Sequence, residues 1–201
     1  GWTSCTDNHI RYMLDQSTGN PFINIWLQSI QNLKYKNYFI NRFADQMNTS
    51  YLIDTLLATE DIFYNEMVVE MPKEYARWGD PNNVAGQMSN FINNHLIFQQ
   101  QLACRNDEVR EDLLNEFQLT KKVQVKMDVW PEESGRIHLN TIEPQQYPWE
   151  GTYFDGVPIQ LTAVADSGFS FVKWLPNSYI VDTLNPTFET NVSLDTTLFT
   201  A

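Results

Sequence analysis

The sequence predicts an α+β chain of two domains, an N-terminal α-helical bundle over residues 1–119 followed by a small antiparallel β-sandwich-like domain over residues 120–201. Two observations carry this expectation. Apolar residues recur every three or four positions from Phe22 to Phe117, the period of amphipathic helices. At Lys121 the period drops to two: Val123, Val125, Met127 and Val129 alternate with Gln124, Lys126 and Asp128, as in a half-buried strand.

Taken in order, residues 1–20 are polar and read as irregular, closed by a turn at Ser17-Thr18-Gly19-Asn20. Pro21 suits a first helical turn, where a missing N–H costs nothing. Phe22, Ile25, Trp26, Ile30 and Leu33 extend that helix to about 33. A second helix over 34–48 carries Tyr35, Tyr38, Phe39, Arg42, Phe43 and Met47 on one stripe, with Arg42 expected to seek a carboxylate partner. Thr49-Ser50 offers the next N-cap, and Leu52, Leu56, Phe63, Met67, Met71 and Tyr75 share a face. Pro72 should kink or restart that helix, and Gly79 should stop it. Trp78 is expected in the core. Asp80-Pro81 starts a helix ending near Cys104, and Asn106 or Asp107 caps a last one holding Val109, Leu113, Leu114 and Phe117.

In the β part, Ile137 and Leu139 alternate, as do Ile159, Leu161 and Ala163, and Val192, Leu194 and Leu198 follow. Turn signals stand between them at Ser134-Gly135, Asp155-Gly156, Ser167-Gly168 and Asn185-Pro186. About six or seven short strands in this span match a small sandwich.

Net charge is −12, and both halves share it: residues 1–119 hold 8 basic and 15 acidic side chains, residues 120–201 hold 5 and 10. With no Lys/Arg run, such a surface repels phosphate backbones, so no nucleic-acid partner is expected. A 42% hydrophobic content with 19% charge supports a folded core rather than disorder. No apolar run approaches the ~20 residues of a membrane span. The chain starts at Gly1 without an initiator Met and stops in the strand-like run Leu194–Phe199, so both ends read as cuts in a larger protein. Cys5 and Cys104 fit no metal spacing; they are either free or joined in one bridge.

No catalytic, cofactor-binding or metal-ligating residue is assigned. There is no P-loop, no G-x-G-x-x-G and no G-x-S-x-G elbow, and Cys104 has no nearby His in sequence. His9, His95 and His138 lie in different elements; His95 on an apolar helix face reads as a satisfied core residue before it reads as a ligand. Glu66, Glu70 and Glu74 stand at i, i+4, i+8, a solvated face or a cation site. Asp128, Glu132 and Glu133 cluster at a strand-to-turn junction without EF-hand spacing. The β part is rich in aromatics, with Trp130, Trp149, Tyr153, Phe154, Phe169, Phe171 and Trp174. Core packing accounts for some of them; Trp149 and Tyr153, if exposed together, would form a ligand-stacking platform for a sugar or peptide.

The segments NYFINRFADQMNTSYL (37–52) and EMPKEYARWGDP (70–81) resemble the C-terminal part of CotH-type (spore coat protein H-like) atypical kinases, in the form carried by large secreted proteins of Bacteroidetes-type bacteria. The helix of 88–119 fits that family's closing segment, except that Asn94-His95 stands where an arginine is usual. The run PWEGTYFDGVPIQLTAVADSGFSFVKW (148–174) is similar to the bacterial-repeat, InlB B-repeat-like β modules of secreted proteins. The resemblance implies a C-terminal fragment of a secreted or cell-surface CotH-like kinase with a structural or scaffold role. The nucleotide-contacting lysine and the W-D-x-D acidic motif would lie upstream, so ATP and Mg belong to the parent protein and no cofactor to this fragment. The rest of the parent chain is then one partner. The alternative is an extracellular binding module whose β domain engages a glycan, cell-surface or protein partner.

Overall fold

A computed structural model describes residues 4–15 and 20–201. The turn expected at residues 17–19 lies outside the described residues. The order of elements is α1 (His9–Asp15), α2 (Pro21–Ser29), α3 (Leu33–Met47), α4 (Ile53–Val68), α5 (Met71–Trp78), α6 (Val84–Glu116), then β1 (Lys122–Asp128), β2 (Gly135–Leu139), β3 (Trp149–Phe154), β4 (Ile159–Ala165), β5 (Thr187–Thr190) and β6 (Thr196–Thr200). The class is α+β, with helices first and strands after.

Local signals placed several boundaries. Asn20 caps α2 through its side-chain oxygen, with Pro21 at the first position. Pro72 does restart the chain, so α4 ends at Val68 and α5 begins at Met71, with Gly79 as its C-cap. Two expectations are corrected. The N-terminal segment is not irregular throughout, because Asn8 accepts from the Arg11 N–H and starts α1. No break occurs at Asn106 or Asp107 either: α6 runs through as one helix of 33 residues. That stretch contains no proline or glycine after Gly86, and Asn106 spends its amide on the Tyr51 carbonyl instead of a cap.

The chain divides into two compact units that do not follow the helix-to-strand boundary at 119/120. One comprises Gly1–Asp7 and Ser50–Val109, the other Asn8–Thr49 and Arg110–Ala201. The first, the helical unit, contains α4, α5 and most of α6. A disulfide joins Cys5 to Cys104, which settles the choice left open by spacing. Arg105 adds hydrogen bonds to the Cys5 and Asp7 carbonyls at 2.8 and 2.7 Å. Trp78 is not a core residue: it is 73% exposed, with the Arg77 guanidinium 4.9 Å from its ring. Pro72 and Gly79 leave α5 only eight residues long.

The second, mixed unit holds both sheets. In one, the order is β3-β1-β6; in the other, β2-β4-β5. All pairings are antiparallel except β1 with β6, where the chain returns from the second sheet to lie parallel beside its first strand. Alternation along β1 buries Val123, Val125 and Met127, and Ile137, Leu139, Ile159 and Leu161 are buried from the other sheet. Rings of the two sheets meet where Phe188 of β5 lies 5.9 Å from Phe199 of β6. Leu194 and Leu198 face outward, contrary to the expected stripe, because Thr197 and Phe199 take the inward positions of β6.

The helix α3 belongs to this unit through Phe39, which packs on Trp26 at 5.3 Å and Phe117 at 5.9 Å, and through a polar face turned to the sheets. Of its expected stripe, Met47 is buried and Phe39 and Phe43 are half-buried, but Tyr35, Tyr38 and Arg42 are exposed, and Ile40, Asn41, Ala44 and Asp45 are buried beside it. Asn41 donates to the Pro158 carbonyl at 2.7 Å. Asn48 pairs with both backbone groups of Thr152, donating at 2.9 Å and accepting at 3.0 Å, as a neighbouring strand would. Asp45 accepts from the Thr141 N–H and hydroxyl, from Asn140 and from the Tyr153 hydroxyl. Arg42 finds the Thr141 hydroxyl at 2.7 Å, not a carboxylate. The backbone of β3 and the 140–141 turn needs partners, and only a polar face of α3 satisfies it.

Asp45→Ala should therefore cost about 2–3 kcal/mol, because it leaves the buried Tyr153 hydroxyl and Thr141 N–H without acceptors. A denaturant melt showing less than about 0.5 kcal/mol would mean that the contact is replaceable by water. Burial raises the Asp45 carboxyl above its ordinary 3.8, against the lowering effect of its hydrogen bonds. The folded chain then holds that proton more tightly than the unfolded chain. This contribution is complete below the unfolded value and is lost as pH rises through the folded one. Wild-type stability relative to Asp45→Asn, which does not titrate, should fall as pH rises above the ordinary carboxyl value of 3.8. A rise over that range would reverse the sign of the shift.

Candidate functional site

Trp149 and Tyr153 do not form a stacking platform. Tyr153 is fully buried, and its hydroxyl donates to Asp45 at 2.7 Å. Burial and the neighbouring carboxylate push its phenol well above the usual range, which keeps it neutral. Trp149 shares that face of β3 at two-residue spacing, but its indole lies over Gly151: a Cβ there would come within 2.4 Å of the ring. Glycine at 151 is what lets the half-buried Trp149 ring fold down, and Tyr153 closes the α3–β3 contact through Asp45.

The most exposed aromatic among the described residues of the β part is Trp130, just beyond β1. The chain leaves β1 at Asp128, and the Trp130 N–H donates to the Ala201 carbonyl at 2.9 Å while Ala201 returns a bond to Asp128. This pairing beyond β6 holds the backbone and leaves the indole 78% exposed. Trp130 stands between two clefts. One, of about 520 Å³, is walled by Val129, Pro131, Phe169, Val172 and Leu175 over the Ala163–Ala165 end of β4. The other, of about 720 Å³, is polar and includes Asp128, Glu132, Glu133, Gln145, Gln146 and Asp166. Arg136 lines both and is held by Glu143 at 2.8 Å and Asp166 at 3.2 Å. Glu143 and then Asp166 raise its pKa, which fixes a cation at the junction. The structure thus brings Asp128, Glu132 and Glu133 to one cleft. A ligand with an apolar face and hydroxyl groups fits here, because the ring takes the face and the carboxylates and amides take the hydroxyls.

A second constellation lies in the helical unit. His95 Nδ1 is 2.7 Å from Glu60 Oε1, and Gln99 donates to Glu60 Oε2 at 3.1 Å and Asp61 Oδ1 at 2.8 Å. Tyr64 stacks on the His95 ring at 3.6 Å. Glu60, Asp61 and His95 each bring a ligand atom within 4.8 Å of the others. His95 and Glu60 already satisfy one another, in line with the reading of a paired helix-face histidine. Sequence reasoning missed Glu60 and Asp61, because they lie 35 positions or so from His95 and only the packing of α4 on α6 joins them. Glu66, Glu70 and Glu74 do not share a helix: α4 ends before Glu70, and all three are exposed. Glu70 pairs locally with Lys73 at 2.8 Å. His138 pairs with Glu143 at 2.6 Å at the β2 edge.

Two clefts thus meet at one exposed indole on an α+β chain of two compact units. Searches against protein-family models, curated proteins and solved structures found no match to this chain. Among the described residues, no helix is long and apolar enough to cross a membrane.

Proposed function

We propose that this chain is a non-catalytic binding module in which the β sheets present the Trp130 clefts to a glycan. The observation that carries this reading is the pairing of an apolar and a carboxylate-rich cleft on either side of an indole that is 78% exposed. A pyranose offers the matching chemistry, with C–H groups for the ring and hydroxyls for the acceptors. The helices are read as the C-terminal part of a secreted CotH-like kinase, a scaffold outside the nucleotide site. The resemblance of 37–52 and 70–81 supports this, and the disulfide suits an oxidising, extracytoplasmic setting. In that setting the remaining kinase lobe is a second partner of the same chain.

One thermal-shift panel tests both parts. Soluble oligosaccharides of plant, bacterial and host cell surfaces are screened against the wild-type chain and Trp130→Ala, together with excess Mg-ATP. At least one glycan should raise Tm, and Trp130→Ala should abolish that shift while leaving the unliganded Tm within about 2 °C, since the ring is exposed. Saturation at 100 times Kd corresponds to about 2.7 kcal/mol. Mg-ATP should leave Tm unchanged. A glycan shift that survives Trp130→Ala moves the site elsewhere, no shift with any glycan ends the glycan reading, and a Mg-ATP shift ends the scaffold reading.

A further inference from the structure

The helical unit leaves an apolar groove open between α4 and α6. Leu56, Phe63 and Met67 form one wall and Phe91, Phe98 and Leu102 the other, enclosing about 660 Å³. Phe63 is 58% exposed, Met67 47% and Phe98 41%, and neither α4 nor α5 contains a buried residue. Two helices with facing apolar walls, and nothing over them among the described residues, lack the third layer that a bundle needs. An exposed apolar strip of this kind marks a binding surface.

Charge selects the occupant. Residues 50–109 carry nine carboxylates against three cations, Lys73, Arg77 and Arg105. Glu60 lines the groove, and Asp61 sits beside it, joined to Glu60 through the Gln99 amide. A second copy of this chain would bring an identical acidic rim against the first, on a molecule whose net charge is already −12. A helix with basic residues flanking its apolar stripe has the opposite sign and the right shape. The walls run from Leu56 to Met67 along α4, a rise of about 16 Å, or three turns. That length takes apolar anchors at i, i+3 or i+4, and i+7.

We propose that the α4–α6 groove docks a cationic amphipathic helix of a protein partner, its apolar side chains seated between Phe63, Met67 and Phe98 and a Lys or Arg paired with Glu60 and Asp61. The site is separate from the Trp130 clefts and does not depend on their ligand. In binding, the partner's cation replaces the Gln99 amide as the counterpart of the carboxylates, and its apolar face removes the exposed rings from water.

Fluorescence polarisation of a labelled Leu/Lys amphipathic peptide of about 18 residues, long enough to populate a helix, tests this on the full chain. Saturable one-to-one binding is expected, weakening steeply with salt. Phe63→Asp should weaken it at least about tenfold, a loss of about 1.4 kcal/mol. Asp61→Asn should weaken it several-fold and flatten the salt dependence. Phe22→Asp, at an exposed residue of the other unit, should change nothing. Should Phe63→Asp melt abnormally by circular dichroism, Met67→Asp replaces it, with the same loss expected. Equal binding by a scrambled Leu/Lys peptide, retention of affinity in both groove variants, or a preference for a Leu/Glu peptide of the same pattern overturns the proposal. So does sedimentation showing that the chain alone is a dimer whose groove variants are monomeric, because a second copy then fills the groove.

Discussion

Trp174→Ala is expected to lower the stability of the mixed unit by about 3–5 kcal/mol. The indole is fully buried although it sits in the irregular connection between β4 and β5. It packs edge-on against Phe188 at 5.2 Å and lies 5.9 Å from Phe171. Its Nε1 donates to the Asn185 carbonyl at 3.1 Å, and its own N–H donates to Thr183 at 2.8 Å. One side chain thus anchors some twenty residues that have no ladder of their own, and Phe188 carries the contact on to Phe199 in the other sheet. Truncation removes the apolar contact, leaves a cavity and frees the Asn185 carbonyl. Trp174→Phe keeps most of the ring volume and should cost about half as much or less. Urea melts of the two variants separate packing from hydrogen bonding. A loss below about 1 kcal/mol for the alanine variant would show that the connection rearranges to refill the space.

Removing the Cys5–Cys104 bridge is expected to destabilise the helical unit by a similar amount. The bridge closes a loop of 99 residues. In the chain-entropy account a loop near that length is worth about 4.7 kcal/mol at 25 °C, within a usual range of about 2–5. The effect acts largely through the unfolded chain, which regains freedom when the bridge is cut. The folded unit has a second tie, since Arg105 holds the Cys5 and Asp7 carbonyls. Reduction should thus leave the helical signal at room temperature intact while lowering the melting temperature, and the Cys5→Ser, Cys104→Ser double variant should behave like the reduced protein. If reduction changes stability by less than about 1 kcal/mol, the unfolded chain is compact enough that the closure entropy is already spent.

Sequence periodicity located the change from helix to strand, the restart at Pro72, the stop at Gly79 and the inward residues of β1, β2 and β4. Each of these is a local property: a missing N–H, a terminal glycine, a period of two. The candidate sites were legible in part. Trp130 stood out only as one aromatic among seven, and its backbone is placed by pairing with Ala201, 71 positions away. The Glu60–His95 pair was not legible, because nothing within 35 positions of either residue marks the other.

The course of α3 shows where local pattern stops being informative. Its expected stripe holds at Phe39, Phe43 and Met47, yet Tyr35 and Tyr38 are exposed while Asn41, Asp45 and Asn48 are buried. Asp45 bonds Thr141 across 96 positions and Asn48 bonds Thr152 across 104. Composition and period told most of the elements, though not α1 or the unbroken course of α6, and that a core exists. Which face of α3 enters it, and that Tyr153 seals a contact instead of stacking a ligand, followed from unpaired backbone groups on a distant sheet. Burying those groups without partners costs more than leaving two tyrosines in water, so the polar face won.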